Sequence, residues 1–284
     1  MKNPLLSQVL LCPACGGSLK TGDNTLICAS CGQEFPVRDG IPLFTPTPET
    51  LEPWERVERG PNQGTPWRRE NWRWLDRLVQ DAPPDALFLD VGSGHGDFRD
   101  IFSGRSYIAL DIVPYPEVDI ACDLTRVVPF KAGSFSVIVM MNVLEHVYEA
   151  ESLLSRLAGL LKPGGEIWLA VPFLLKVHQA PHDFARYTPF ALRHMAGNAG
   201  LVVKDLRGFY DSVFQVNDAL GNLWQHALPP RTSSRGLMAR VAVFLAQQAI
   251  NLLGALLPNG TSADAEKTAN PAAMGYLAIF QKPD

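Results

Sequence analysis

The sequence has little excess charge, few cysteines and no secretion signal. Its 284 residues include 25 Lys and Arg against 29 Asp and Glu, and no stretch concentrates the basic residues. Proteins that bind long nucleic acid usually present a basic surface, so we expect no nucleic-acid partner. Five cysteines are too few and too clustered for a secreted disulfide scaffold. The N-terminal MKNPLLSQVL has too short an apolar stretch for a signal peptide, and we expect a cytoplasmic protein.

The composition is otherwise that of a globular protein, with 46% hydrophobic and 19% charged residues. This length suffices for one large domain or two smaller ones. We expect a cysteine module in residues 1–45, and a linker with a helix in residues 46–84. The remaining residues, 85–284, are expected to form an α/β unit with an insertion at about 209–272. Proline-rich TPTPET marks the linker, and Thr65-Pro66 is a typical helix start.

Four of the cysteines form two C-x-x-C pairs, Cys12 with Cys15 and Cys28 with Cys31. Four thiolates can close a tetrahedral shell around zinc, and the glycine after each pair allows a tight turn. Disulfides and a redox C-x-x-C are the alternatives. We favour structural zinc, because the two pairs match and no secretion signal precedes them. The fifth, Cys122, is expected to be a small buried side chain.

Short β-rich runs alternate with helical patterns from residue 86 to 171. The predicted strands read ALFLDV, SYIALDI, FSVIVMM and EIWLAV. A leucine stripe at 149–162 predicts a helix before the last of them, ending at Lys162-Pro163-Gly164-Gly165. Strands that alternate with helices indicate a parallel sheet with crossovers, so the predicted fold class is α/β.

A glycine-rich loop, GSGHG, follows the first of these strands. Its spacing is G-x-G-x-G, whereas a dinucleotide fold typically has G-x-G-x-x-G. Asp90 ends the strand before the loop, which suits a ligand that carries an ammonium or sulfonium group. Asp111 closes the next strand, where a carboxylate can accept hydrogen bonds from both hydroxyls of a ribose. Asp123 and Leu124 follow the third strand, in a position to flank an adenine.

Taken in order, these motifs resemble those of class I S-adenosylmethionine-dependent methyltransferases of the type 11 group. The similar stretches are LDVGSGHGDF, the strand end at Asp111, CDL, VPFKAGSFSVIVMMNVLEHV and LKPGGEIWLAVP, within about residues 85–208. The resemblance implies S-adenosylmethionine as cofactor and a Rossmann-like seven-stranded sheet whose last strand is antiparallel. GYLAIFQK, at 275–282, fits that last strand.

The resemblance also implies which residues hold the donor: Asp90, Gly92, Ser93, Gly94, Gly96, Asp111, Ile112, Asp123, Leu124 and Asn142. Two features depart from the family pattern. The link from Asp111 to the third strand, at 118–120, is too short for a full helix. Ser136 stands where an aspartate usually follows Ser-Phe, and we expect it to affect the local turn more than the chemistry.

His146 and His182 are the candidate catalytic residues. A methyl transfer needs a general base only when the acceptor must lose a proton. His146 is either that base, or a substrate-orienting group, or a loop histidine bonded to backbone, and these alternatives stay open here.

The segment VHQAPHDFARYTPF is expected to cover the acceptor pocket. Its polar contacts would come from His182, Asp183, Arg186 and Tyr187. Pro181 argues against a helix that would place His178 and His182 as metal ligands. Thr188 is expected to cap the helix that follows.

Arg69, Arg73 and Arg77 recur at helical spacing among three tryptophans. Such a stripe can bind phosphates while the rings stack on bases. We favour an amphipathic helix that buries the tryptophans and pairs its arginines with nearby acids, because the chain has no basic excess.

Residues 237–257 form a long apolar stretch that reaches the length needed to span a bilayer. Arg240, Gln247 and Asn251 recur on one helical face, so the stretch is amphipathic. We expect a buried or homodimer-forming helix first, a peripheral membrane contact second and a true span last. The segment GTSADAEKTANP, at 260–271, is typical of an exposed loop.

We therefore expect a methyltransferase that acts on a small-molecule or glycan-type acceptor, with a hydroxyl as the first expectation. RNA or protein acceptors are the alternative, because the ribbon pattern C-P-x-C-x-G-x-L resembles ribbons that accompany translation-related methyltransferases. A donor-binding scaffold without catalysis is the non-enzymatic alternative.

Overall fold

The computed structural model describes residues 1–46, 60–228, 233–256, 261–264 and 273–284. Their strands form two sheets, one of four strands at the N-terminus and one of eight strands in the rest of the chain. The acids at 52, 55 and 58 that could pair with the arginine stripe lie outside the described residues.

The N-terminal module consists of α1 (Leu6–Val9) and four antiparallel strands. These are β1 (Leu19–Thr21), β2 (Thr25–Cys28), β3 (Glu34–Arg38) and β4 (Ile41–Pro42). Just after β4, the N–H of Phe44 donates to the carbonyl of Ala121 at 2.9 Å. The module therefore extends the edge of the large sheet by a short parallel bridge between Leu43 and Ala121.

Helix α2 (Pro66–Asp81) begins as predicted, because the Thr65 side chain accepts a hydrogen bond from the N–H of Arg68. Its tryptophans are 5–8% exposed and pack in the core. Buried rings are not available to stack on bases, so the interpretation of this segment as a packing helix is confirmed. Arg77 lies 3.8 Å from Glu70 on the same helix.

The large sheet contains β5 (Leu87–Val91), β6 (Ser106–Asp111), β7 (Ile120–Ala121), β8 (Phe135–Met141), β9 (Leu161–Pro172), β10 (Val202–Tyr210), β11 (Thr261–Asp264) and β12 (Gly275–Gln281). Their order is β11-β10-β12-β9-β8-β5-β6-β7. Strand β12 is antiparallel to both neighbours, whereas β5 to β9 run parallel to one another. The predicted seven-stranded sheet with an antiparallel last strand is confirmed, and the short β11 adds an eighth strand at the edge.

The remaining helices are α3 (Ala150–Leu160), α4 (Pro189–Asn198), α5 (Ser212–Asn222) and α6 (Ser234–Leu256), with 3-10 turns at Arg99–Phe102 and Leu144–His146 and a π-helical turn at Leu223–Ala227. Helix α3 stops earlier than predicted, because Leu161 already pairs with Phe135 in the sheet. The segment 162–165 therefore belongs to β9 and not to a helix end.

The sheet has an apolar layer on each face, as the period-2 alternation of side chains along a strand requires. Phe88 packs with the tryptophans of α2, whereas its neighbour Leu89 packs with the leucines of α3. Ser136, the departure from the family pattern, has a local structural role: its hydroxyl accepts hydrogen bonds from the N–H of Leu87 and the ammonium of Lys162.

Helix α6 differs from the prediction of a buried helix. Its polar residues face α5: Asn251 accepts a hydrogen bond from Asn217 at 2.8 Å, and the Arg240 guanidinium lies 5.1 Å from the Trp224 ring. Most of its large apolar side chains are exposed, Leu237 by 60%, although Val243 is buried. Within the described chain, residues 234–254 form the one helix long and apolar enough, by length and composition, to cross a membrane.

The segment predicted as the loop 260–271 is described only at residues 261–264, which form β11. The rest of that loop lies outside the described residues.

Candidate active site

A cavity of about 660 Å³ opens at the carboxyl ends of β5, β6 and β8. Ligands of open α/β sheets bind at this edge. The cavity brings together most of the predicted site residues: Asp90, Gly92, Ser93, Gly94, Asp111, Ile112, Asp123, Leu124, Asn142, His146 and His182. Gly96 is not among the lining residues, and its N–H donates to the carbonyl of Ser93 within the loop.

The loop after β5 is held against β6 by backbone hydrogen bonds. The N–H groups of Gly92 and Ser93 donate to the carbonyl of Leu110 at 2.8 and 3.0 Å. Gly92 has φ +73°, and a Cβ at this position would lie 2.5 Å from Cγ2 of Val143. Only glycine avoids both the strained backbone and this clash, so the sequence at this turn sets the shape of the cavity floor.

Asp90 is the buried acid at the end of β5. It is 3% exposed, and the Tyr107 hydroxyl donates to its Oδ2 at 2.6 Å. Burial raises the pKa of Asp90 to about 7. A positively charged ligand beside this carboxyl would favour its ionised form.

Donor binding should therefore weaken as the pH falls through 7. Protonated Asp90 cannot attract the positive methionine end of the donor, while the carboxylate above its pKa can. Calorimetric titration of S-adenosylhomocysteine on both sides of pH 7 measures this effect. Tyr107→Phe removes the hydrogen bond that lowers this pKa, so its midpoint should shift to higher pH. Superimposable affinity profiles for the two proteins, or a flat profile, would contradict the assignment.

Asp111, at the end of β6, holds the other side of the glycine loop. Its Oδ2 accepts from the N–H of Gly94 at 2.8 Å and its Oδ1 from the N–H of Val113 at 3.0 Å. The carboxyl is 6% exposed, and burial raises its pKa. These bonds fix the side chain at the cavity wall where a ribose would be bound.

Asp123 connects the cavity to the N-terminal module. Its N–H donates to the hydroxyl of Thr45 at 2.8 Å, and its Oδ1 accepts from both the N–H and the hydroxyl of Thr125. Cys122, buried as predicted, also lines this part of the cavity. The role of Thr45 was not predicted, because no local sequence signal indicates a partner 78 residues away.

Asn142 is held in a left-handed backbone conformation, φ +57°, at the end of β8. The indole N–H of Trp67 donates to its Oδ1 at 2.7 Å. Arg68, the next residue of α2, lines the cavity and pairs with Asp97 at 3.0 Å. Sequence reasoning missed Trp67 and Arg68 because it treated α2 only as a packing element.

A polar cluster that we call the EHH cluster consists of Glu145, His146 and His178; the two histidines line the cavity, whereas Glu145 is fully buried. His146 Nε2 lies 3.6 Å and His178 Nε2 lies 3.9 Å from Glu145 Oε1. Burial raises the pKa of Glu145 to about 8 and lowers the pKa of His146 to about 4.

The segment after β9 provides the surroundings of this cluster. The Nδ1 of His146 lies 2.6 Å from the carbonyl of His182, so this histidine is bonded to backbone. It also lines the cavity, so the bond to backbone does not remove it from the site. Arg186 pairs with Asp183 and holds the pKa of that carboxyl well below its usual range. The Tyr187 hydroxyl donates to the carbonyl of Leu144 at 3.2 Å.

The predicted absence of a helix at Pro181 is confirmed, and so is the cap of α4 by Thr188, which accepts from the N–H of Ala191. The spacing of His178 and His182 in the sequence suggests a pair of metal ligands, although Pro181 argues against the helix that they would need. The structure groups His178 with Glu145 and His146 instead, and His182 is not part of that group. The chain reverses between the two histidines without a helical turn, so the i, i+4 geometry does not arise.

The four ribbon cysteines have the geometry of a zinc site. Their Sγ atoms all lie within 4.8 Å of one another, with Cys12 and Cys31 at 3.7 Å and Cys15 and Cys28 at 3.5 Å. Zinc with four thiolates separates its sulfurs by about 3.8 Å, since each Zn–S bond is about 2.3 Å. The residues fit structural zinc, and all four cysteines are free of disulfides.

The turns around these cysteines match the prediction. Gly16 and Gly32, after the second cysteine of each pair, both have φ +73°. The N–H groups of Ser30 and Cys31 point to Cys28 Sγ at 3.4 and 3.5 Å, which stabilises a thiolate there.

Both parts of the chain match models of known protein families. Residues 66–209 match the family model described as a methyltransferase domain, and residues 3–40 match the model of Trm112p-like protein. A UPF0434 protein of Azotobacter vinelandii is 42% identical over 60 residues, which are 20% of this chain and 98% of that protein.

A ubiquinone biosynthesis O-methyltransferase of Xanthomonas axonopodis pv. citri is 28% identical over 160 residues, 44% of this chain and 66% of that protein. A protein of the same name from Cupriavidus pinatubonensis is 30% identical over a stretch that makes up 30% of this chain and 41% of that protein. Among solved structures, an S-adenosylmethionine-dependent methyltransferase from Archaeoglobus fulgidus is 15% identical with a TM-score of 0.46, covering 76% of this chain and 94% of that one.

Proposed function

Because the chain belongs to the methyltransferase domain family, we propose that it transfers a methyl group from S-adenosylmethionine to a hydroxyl group of a small molecule. One observation carries the proposal: a single cavity has three acids on its donor side, Asp90, Asp111 and Asp123, and the two histidines of the EHH cluster on its acceptor side. The relatives named ubiquinone biosynthesis O-methyltransferase support a hydroxyl acceptor.

Asp90 attracts the positive methionine end of the donor, Asp111 binds the ribose hydroxyls, and Asp123 with Leu124 flanks the adenine. This arrangement leaves the methyl group facing the side of the cavity lined by His146 and His182. The acceptor oxygen attacks the methyl carbon in line with the C–S bond, which breaks and releases S-adenosylhomocysteine. Much of the acceleration comes from this alignment.

The acceptor hydroxyl loses its proton as the new O–C bond forms. We assign the proton to His182, which lines the cavity but is not part of the EHH cluster. His146, with its Nδ1 held by the backbone carbonyl of His182, then orients the hydroxyl.

The experiment is a methyl-transfer screen with labelled donor. The zinc-loaded protein is incubated with fractions of a cell extract that contain small molecules, RNA or protein, with Asp90→Asn as the inactive control. We expect label in the small-molecule fraction, in a product whose methyl group is bound to oxygen. Label confined to RNA or to protein would support that alternative instead, which the Trm112p-like match favours. Donor binding without label in any fraction would support a donor-binding scaffold.

The outward apolar face of α6 supports a second proposal, that the enzyme binds to a bilayer surface. This helix of 23 residues turns its polar side chains toward α5 and leaves Met238, Phe244 and Leu252 52–67% exposed. An apolar helix face of this kind inserts between lipid head groups and acyl chains. The protein would then be cytoplasmic and peripheral to the membrane.

Flotation with phospholipid vesicles tests this placement. The wild-type protein should float with the vesicles, and the double variant Phe244→Glu, Leu245→Glu should lose most of that binding. Val202→Glu introduces the same acid at an apolar residue of β10 that is 58% exposed, and should bind like the wild type. The opposite outcome is a wild-type protein that stays in solution as a dimer, together with a double variant that is a monomer. That outcome would mean that the apolar face of α6 contacts a second copy of the chain.

A further inference from the structure

Glu145 lies beside the two histidines that line the acceptor side of the cavity. Its side chain is fully buried, and neither carboxylate oxygen has a hydrogen-bond partner among the residues that the structure describes. A buried carboxylate is normally hydrogen-bonded, paired with a cation or bound to a metal ion. Two imidazole rings lie beside it, at distances too long for hydrogen bonds.

The rings present the right nitrogens for metal binding. His146 Nδ1 faces the carbonyl of His182 at 2.6 Å, so this nitrogen carries the proton and Nε2 carries the lone pair. A ring hydrogen-bonded through Nδ1 to a carbonyl is the usual outer-shell arrangement of metal-binding histidines.

His178 has the same arrangement. Its Nδ1 lies 3.3 Å from both the Asp183 carboxylate and the carbonyl of Lys176. Arg186 Nη2 is also near, at 3.4 Å, but this guanidinium is already paired with Asp183. The two acceptors favour a proton on Nδ1, which again leaves Nε2 toward Glu145.

The distances fit one ion. The three candidate ligand atoms all lie within 4.8 Å of one another, and two of the separations are 3.6 and 3.9 Å. An ion with bonds of about 2.0–2.2 Å separates its ligands by about 3.0–3.6 Å, so small side-chain movements close the site. Two imidazoles and one carboxylate also leave coordination positions open on the cavity side.

We propose that Glu145, His146 and His178 bind a divalent transition-metal ion, and that the acceptor hydroxyl binds to an open position of that ion. The second half of this statement rests on the proposed function; the first half does not. The bound hydroxyl gives its proton to His182, its oxygen forms the bond to the methyl carbon, and the C–S electron pair leaves with S-adenosylhomocysteine. No electron transfer is involved, because the ion acts as a Lewis acid.

Mn²⁺ binding to the full-length, zinc-loaded protein tests the site directly. Free Mn²⁺ gives a six-line EPR signal that is lost on binding, and its preference for nitrogen and oxygen ligands leaves the ribbon zinc in place. We expect one Mn²⁺ per chain. Glu145→Gln and His178→Ala should each weaken binding at least tenfold, while His194→Ala, an exposed histidine of α4, should not. Zinc content after dialysis against Zn²⁺ should be two per chain in the wild type and one in His178→Ala.

S-adenosylhomocysteine titration of His178→Ala checks that the fold and the donor side remain intact. Wild-type protein that binds no Mn²⁺ and retains only one zinc would overturn the site, as would equal binding by all four proteins. Transfer to a hydroxyl at full rate after the Mn²⁺ site has been removed would overturn the role of the ion but leave the proposed function in place. Metal binding at the cluster together with methylation of RNA or protein would overturn the proposed function but leave the metal site in place.

Discussion

Asp111→Ala should lower the affinity for S-adenosylhomocysteine at least 100-fold. The wild-type carboxylate lines the cavity, where we propose that it binds the ribose, and it also accepts a hydrogen bond from the N–H of Gly94 at 2.8 Å. A hydrogen bond to a charged group contributes about 1.5–3 kcal/mol, and the change removes two to the ribose as well as the anchor of the glycine loop. The measurement is a calorimetric titration of the folded variant.

The matched control is Asp100→Ala. Asp100 is an exposed acid of the 3-10 turn that follows the glycine loop, and it does not line the cavity. Its affinity should stay within a factor of two or so of the wild type, because surface charges away from a ligand contribute little. Equal affinities of Asp111→Ala and Asp100→Ala would show that the cavity is not where the donor binds.

Cys28→Ser, or removal of zinc with a chelator, should unfold the N-terminal module. The module has a small core, and structural zinc contributes about 10–16 kcal/mol to the folding of comparable peptides. The apolar layer of the eight-stranded sheet that packs against α2 is separate from the module, whereas the other layer is continuous with the module's buried residues, so the sheet should keep most of its far-UV signal. We expect two separate thermal transitions after zinc removal, as measured by calorimetry.

Loss of the module should also weaken donor binding about tenfold, because Thr45 holds the backbone of Asp123 at the adenine side. Thr45→Val isolates this effect, since valine keeps the shape of threonine but lacks the acceptor oxygen. It should weaken donor binding by a similar factor while the zinc stays bound. Unchanged donor affinity after both Thr45→Val and zinc removal would mean that the module is independent of the cavity.

Local patterns were sufficient for the framework of the fold. The apolar runs ending at Asp90 and Asp111 form the strands they predict, and the G-x-G-x-G spacing forms the tight loop between them. These features depend on residues close in sequence. The end of α3 was misplaced, because pairing of Leu161 with Phe135 outweighs the local helix-stop signal.

The missed features all depend on contacts between distant residues. Thr45 and Trp67 reach the cavity from the N-terminal side, and His178 joins His146 through the folding of an irregular segment. Composition was also misleading for α6. Its apolar residues predicted burial, but Asn217 and Trp224 of the neighbouring segment pair with its polar face, so the apolar face points outward.

The most direct test of the account is calorimetry of the zinc-loaded, folded protein with S-adenosylhomocysteine. We expect one ligand per chain, with an affinity that falls sharply in Asp111→Ala and declines as the pH drops through the pKa of Asp90, about 7. Folded, zinc-loaded wild-type protein that takes up no S-adenosylhomocysteine under these conditions would contradict it.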